Sequence, residues 1–178
     1  MYDEISKKHK QKPKSIQGYC YILPRYRVFI AYGGRQGRRV ARFVAECLHN
    51  NGINPRIALQ GAIGEIRCAS QEEIFEEMAR CDAVVAVNAK YASQSLKFRD
   101  EVESARYDLR KPMVVFVRDG SRTFHMLRVR ATRIEFDEKR YRRKCDELVS
   151  ALRKDIAYSR PAGYVPEGKR LPRRVLRD

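Results

Sequence analysis

Three short runs constrain this chain more than any other feature: YRVFIAY at Tyr26–Tyr32, DAVVAVN at Asp82–Asn88 and MVVFV at Met113–Val117. The last two are apolar almost throughout, and a run of five to seven such residues is what a strand buried on both faces requires. Stretches of different periodicity lie between them. Val40, Phe43, Val44, Cys47 and Leu48 recur at the spacing of one helical face, and Gly52 follows where a left-handed residue ends a helix. Ser70-Gln-Glu-Glu73 has capping-box spacing and opens a short acidic helix carrying Ile74, Phe75 and Met78.

A polar loop, Ala89–Ser95, leads to a helix expected over 96–110, with Phe98, Val102, Ala105 and Leu109 as its stripe; Lys111-Pro112 ends it. Asn54–Leu59 reads as the second strand and Thr132–Phe136 as a short fifth one. A last helix is expected over 138–156, and one irregular helical turn within 119–131. Strands alternating with helices five times specify an α/β domain with a parallel sheet and helices on both faces. The short crossovers favour the flavodoxin-like strand order 2-1-3-4-5. The organisation expected is a basic extension over 1–25, an α/β domain over 26–157 and a basic, Pro/Arg-rich tail over 158–178.

The formal net charge of +16 must be located before it is interpreted. Residues 28–117 hold thirteen basic and eleven acidic side chains, so the centre of the chain is almost neutral and the excess lies in the two ends and the last quarter. Basic ends serve solubility, weak attraction of polyanions or a partner surface, and nucleic acid is a less favoured partner. No run is long and apolar enough for a membrane span. The five cysteines, Cys20, Cys47, Cys68, Cys81 and Cys145, are scattered with no C-x-x-C pair. That argues against a disulfide framework or a zinc site, with Cys47 and Cys145 as core residues, and for a reducing cytoplasm. His9, His49 and His125 are isolated, and no metal ligand set is expected.

In such a sheet a ligand binds outside the carboxyl ends of the strands, where the strand order reverses. Here that crevice is expected between Tyr32-Gly33-Gly34-Arg35 and Asn88–Ser95. Backbone N–H groups at Gly33 and Gly34, backed by Arg35 and Arg38, suit a phosphate; a tight turn with solvated arginines explains the same residues. Three uses of the architecture fail. The glycine spacing is not G-x-G-x-x-G, there is no GK[ST], and Tyr32 and Asn88 stand where a phosphate-accepting receiver carries acids. At about 100° per residue, Glu101 falls about 70° from the centre of the helix stripe, while Asp100 and Glu103 point to water. Glu101 is then either a partly buried acid paired with Arg35, Arg99 or Arg106, or a carboxylate held beside a sugar, where it can stabilise an oxocarbenium-like centre.

RVFIAY at 27–32 resembles the first strand of the Toll/interleukin-receptor (TIR) family, usually written FISY, and SLKFRDEVESA at 95–105 resembles its S-x-W-C-x-x-E-L-x-x-A helix. Tyr91 and Ser93 resemble the approach to that helix, and Lys111-Pro112 before an apolar strand fits as well. The resemblance spans about residues 26–155 and is to the prokaryotic stand-alone type. Lys97 and Phe98 replace the motif's Trp and Cys, and Gln60 stands where an acid often ends strand two. The resemblance implies a NAD+ glycohydrolase acting in defence or signalling, with Glu101 as catalytic residue and Tyr32, Gly33, Gly34, Arg35, Ser93 and Ser95 as substrate contacts. It implies NAD+ as substrate with no cofactor or metal, and activity dependent on homo-oligomers formed through the Gln60–Ala69 loop. Two alternatives share these residues: a TIR-like scaffold that cleaves nothing, and a nucleoside deoxyribosyltransferase-like enzyme, whose family pattern resembles Glu101-Val102, Ala105 and Lys111-Pro112.

Overall fold

The computed structural model describes residues 26–67, 70–118, 131–137 and 140–159. The chain runs β1 (Arg27–Tyr32), α1 (Gly34–Asn50), β2 (Asn54–Arg56), α2 (Gln71–Ala79), β3 (Ala83–Asn88), a 3-10 turn (Ala92–Gln94) and α3 (Leu96–Glu103). A π-helical turn (Ser104–Asp108), β4 (Met113–Arg118), β5 (Thr132–Phe136), a 3-10 turn (Tyr141–Lys144) and α4 (Cys145–Ser159) follow. The five strands form one sheet in the order β2-β1-β3-β4-β5, every pair parallel. The expected flavodoxin-like α/β architecture is the one observed.

β3 is buried along its whole length, and β4 at every residue but Arg118, as their unbroken apolar runs require. Alternation then sorts the side chains between two layers. Val28, Ile30, Val85, Phe116 and Phe136 join α1 and α4 in one core. Phe29, Ala31, Val84, Ala86 and Val115 join α2 and α3 in the other. Each buried Val or Phe contributes about 1.5–3 kcal/mol of transfer free energy.

Local signals set most boundaries. At the end of α1, Ile53 N–H donates to the Leu48 carbonyl and Gly52 N–H to that of His49, with Gly52 at φ +75°. This Schellman arrangement places Gly52 in the left-handed region that favours glycine. The capping box of α2 forms as its spacing predicts: Glu73 N–H donates to Ser70 Oγ, and Ser70 N–H to Glu73 Oε2, each at 3.2 Å.

Four expectations need correction. The second strand stops at Arg56 rather than Leu59, because the chain turns to pair with itself: Ile57 N–H donates to Gly64 O and Ile66 N–H to Ile57 O. Pro55, which has no N–H, is tolerated because β2 is an edge strand. The helix expected over 96–110 widens into a π turn after Glu103, with Leu109 N–H reaching the carbonyl of Ser104 five residues back. The last helix begins at Cys145 after a tight turn and continues to Ser159.

The fourth correction concerns the cysteines. Cys47 of α1 and Cys145 of α4 form a disulfide across 98 residues of chain, with Cα atoms 5.9 Å apart. The apolar stripes that made both residues core candidates bring the two helices together on one face of the sheet, within bridging distance. The argument from unpaired cysteines to a reducing compartment falls with it. Cys81 is a buried free thiol, which burial pushes up to about 12. No helix among the described residues is long and apolar enough to cross a membrane. The helical turn expected within 119–131, the two tails, and Cys20 and Cys68 fall wholly or largely outside the described residues.

Candidate functional site

Glu101 sits on α3 between Phe98 and Val102, both fully buried, and is itself only 3% exposed. The helical arithmetic that placed it at the edge of the packed face therefore stands, and the helix takes it further inward than an edge position implies. Loss of hydration disfavours the charged carboxylate. Burial is accordingly the main cause that lifts its pKa to about 8, with Lys97 pulling it down and Asp100 pushing it up. Lys97 Nζ lies 3.9 Å from Glu101 Oε1. The ion-pair partner expected among Arg35, Arg99 and Arg106 is thus Lys97, one helical turn earlier, half-exposed at 49% while its partner is buried.

An open cavity of about 620 Å³ lies beside this pair. The loop after β2 contributes residues from Ala58 to Arg67, α2 contributes Ile74, and α3 contributes Lys97. Lys97 is the connection between the cavity and the carboxylate behind it. Sequence reasoning treats Lys97 only as a departure from the TIR motif, although its i,i+4 spacing to Glu101 is in plain view.

Tyr32, at the end of β1, is half-buried, and its hydroxyl donates to the carbonyl of Ala58 at 2.9 Å, tying the first strand to the cavity loop. Its pKa is raised, chiefly by burial; Arg38 opposes that shift by charge and by a side-chain hydrogen bond, and the Glu101 carboxylate adds to it. Tyr32 and Glu101 therefore lie within electrostatic reach of one another across the sheet end. Arg42 donates from Nη2 to the carbonyl of Gln60 at 3.1 Å, so α1 also holds the cavity loop.

The crevice expected between the first and third strands is closed at Gly33. A Cβ there would stand 2.7 Å from the carbonyl oxygen of Ala92 and 2.8 Å from its Cα, so the two loops meet backbone to backbone. The open volume lies instead beside the loop after β2. Gly33 has extended dihedrals and precedes α1; Gly34 is its first residue, at φ +69° and exposed. Arg35 lines a different pocket, between α1 and the turn before α4. Ser95 caps α3, its hydroxyl accepting from Phe98 N–H at 3.3 Å, and Ser93 is half-buried in the preceding turn. Tyr91 holds a left-handed conformation, φ 64°, with its ring exposed beneath Lys90.

Asn88, at the end of β3, is read in the sequence as one end of the crevice lining and as a residue in place of a receiver's acid. It is 1% exposed, and its Nδ2 has no hydrogen-bond partner among the described residues. Among those residues no three of His, Cys, Asp and Glu cluster as a metal site would require.

Fold and site together define an α/β protein of flavodoxin-like topology with, among the described residues, one buried carboxylate, Glu101, on the helix that follows β3. No family model matches the sequence, and no curated protein does. Among solved structures, the chain is similar to the CMP N-glycosidase of Clostridium botulinum, at 16% identity and TM-score 0.45, over 68% of this chain and 98% of that one. It is also similar to a variant of the flavo-di-iron protein from Thermotoga maritima, at 18% identity and TM-score 0.50, over 75% of this chain and 36% of that one. The second likeness is one of fold; this chain spans little more than a third of that protein's length.

Proposed function

We propose that this protein is a TIR-type NAD+ glycohydrolase and that Glu101 carries the reaction. The observation behind the proposal is the placement of one carboxylate. The glutamate that matches the TIR motif is buried at 3% exposure, its pKa is lifted to about 8, and its ion-pair partner Lys97 lines an open cavity.

In this reading the C–N bond between ribose and nicotinamide breaks with its electron pair leaving on the nicotinamide nitrogen. The positive charge of the substrate's ring is thereby cancelled, and the departing base needs no proton. An oxocarbenium-like ribose remains, and the ionised Glu101 stabilises it at close range in a site of low dielectric. Water adds to the same carbon and releases one proton, giving nicotinamide and ADP-ribose; attack by a group of the substrate itself gives a cyclic product instead. Glu101 is largely protonated in the free protein at neutral pH, and the cationic end of the substrate favours its ionised form. Lys97 favours that form as well.

The described part of the Gln60–Ala69 loop forms the rim of the cavity. Self-assembly through that loop, as the TIR resemblance implies, would set a second copy against the cavity mouth, and enzyme activity would rise with protein concentration.

The test is nicotinamide release from NAD+ by concentrated protein, with Glu101→Gln alongside. We expect turnover in the wild type and a loss on the order of 10²–10⁴-fold in the variant, the range for removal of an essential acid–base or stabilising group. Equal release by both proteins would overturn the assignment of Glu101. No release by either, with assembly verified by light scattering, would leave the scaffold reading. Exchange of free bases on nucleosides without NAD+ cleavage would favour the deoxyribosyltransferase reading.

A further inference from the structure

The opposite face of the sheet carries a second concavity, whose lining does not include Glu101. It is a pocket of about 360 Å³ between α1 and the 3-10 turn that precedes α4. Arg35, Arg38, Arg39 and Arg42 line it from the first half of α1, and Arg142 lines it from the facing turn. Phe43 and Tyr141 also line it, packed edge to face with ring centroids 4.9 Å apart. Glu46 is the one acid in the lining.

Three observations show that this charge is unspent. No carboxylate among the described residues forms an ion pair with any of the five guanidiniums; the pairs found involve other basic residues. Only Arg38, to the Tyr32 side chain, and Arg42, to the Gln60 carbonyl, have hydrogen-bond partners among the described residues. Finally, α1 has no acid in its first turn and no side-chain cap, so its arginines crowd the positive end of the helix dipole. Like charges gathered at that end destabilise the free protein, and an anion seated among them relieves both the mutual repulsion and the dipole.

We infer that this α1–α4 pocket binds a compact polyphosphate anion, of the kind carried by nucleoside triphosphates and by inorganic tripolyphosphate. Guanidiniums pair with phosphate oxygens through two parallel N–H donors each, and five of them match a ligand bearing several phosphates. The pocket's volume falls in the range of small-ligand sites. Convergence from two elements into one concavity favours a compact ligand over an extended polymer, whose binding needs a stripe of charge along an open face.

The experiment is calorimetric titration of the full chain with inorganic tripolyphosphate at fixed ionic strength, repeated with monophosphate, ATP and a short DNA duplex. The paired variant Arg39→Ala/Arg142→Ala removes one guanidinium from each wall. Both residues are exposed, so the fold should tolerate their loss, which circular dichroism verifies. Arg80→Ala/Lys154→Ala removes the same charge from elsewhere on the surface. We expect tripolyphosphate to bind at least tenfold more tightly than monophosphate and the pocket variant to weaken it tenfold or more. The remote variant should change it less than twofold, and Glu101→Gln should leave it intact. If ATP matches tripolyphosphate, the phosphates alone are recognised; if it binds more tightly, the nucleoside is held as well. Equal weakening in both double variants would overturn the proposal in favour of bulk charge. Duplex binding with no response to tripolyphosphate would overturn it in favour of a nucleic-acid surface.

Discussion

The two layers of this protein handle charge in opposite ways. The α2/α3 layer takes one carboxylate out of water and leaves it a single partner, Lys97 at 3.9 Å. The α1/α4 layer keeps its arginines in solvent around a pocket and closes its own core with a disulfide. Burial changes what a group is: Glu101 becomes an acid that titrates near 8 rather than an ordinary carboxylate. Clustering at the surface creates a field that a multiply charged anion can occupy. The first arrangement suits the chemistry proposed for Glu101, and the second suits the anion recognition inferred for the pocket. The same sheet serves both, because strand alternation sends consecutive residues of β1, such as Ile30 and Ala31, into different cores.

The largest expected effect tests the buried side. The folded protein holds the Glu101 proton up to about pH 8, whereas the unfolded chain releases it near the ordinary value of 4.5. Between those limits the unfolded state binds fewer protons, so stability falls as pH rises, by about 1.4 kcal/mol per unit. The contribution is whole below 4.5, is lost progressively, and is gone above about 8. Over the interval the loss is on the order of 5 kcal/mol. Glu101→Gln cannot ionise, so urea unfolding should show the variant gaining on the wild type as pH is raised from 5 to 8. Parallel stability curves for the two proteins would mean that Glu101 is not desolvated, and the contrast between the layers would collapse.

Part of this contrast was legible in the sequence, and most of what was not depends on contacts between distant segments. β3 and β4 could be placed because their apolar runs and flanking breakers are local, and helical period alone set Glu101 beside the packed face, though not as deeply as the 3% exposure it has. The early end of β2 could not be read from Asn54–Leu59, because Ile57 and Leu59 are as apolar as strand residues. What stops the strand is the pairing of Ile57 with Gly64 and Ile66. The closing of the crevice depends on Gly33 meeting Ala92, a residue beyond two intervening strands and two helices. The disulfide likewise depends on how α1 and α4 pack, which no spacing between Cys47 and Cys145 encodes. Lys97 is a different case: its distance from Glu101 along the helix was visible, but the motif comparison cast it as a missing tryptophan rather than as a partner.

The second effect tests the other layer. The disulfide closes a loop of 98 residues, and constraint of the unfolded chain by a bridge of that span is worth about 2–4 kcal/mol. Reduction, or Cys47→Ala/Cys145→Ala, should lower the thermal midpoint by several degrees, while the pH dependence assigned to Glu101 keeps its slope. Mass spectrometry of the unreduced protein gives the direct check, since a bridged pair resists alkylation. If both thiols alkylate without reductant, or if the midpoint does not move on reduction, the α1/α4 layer is held by apolar packing alone.

The smallest effect is the sharpest, because it separates the pair that joins cavity to carboxylate. Lys97 is half-exposed, so its ion pair is screened by water, and its removal should change stability at pH 5 by no more than about 0.5 kcal/mol. Its charge nonetheless favours the ionised form of Glu101. Lys97→Met keeps the aliphatic bulk and discards that charge, which should carry the Glu101 titration to higher pH. In unfolding experiments the falling part of the stability curve should then extend further into alkali. In the proposed NAD+ cleavage, which would use Glu101 in its ionised form, the rising limb of kcat/KM should move the same way, since that ratio reports the titration of the free enzyme. A structural lysine would change the midpoint of unfolding and leave both pH profiles in place, whereas a lysine that tunes the carboxylate shifts both profiles together with the protein otherwise intact.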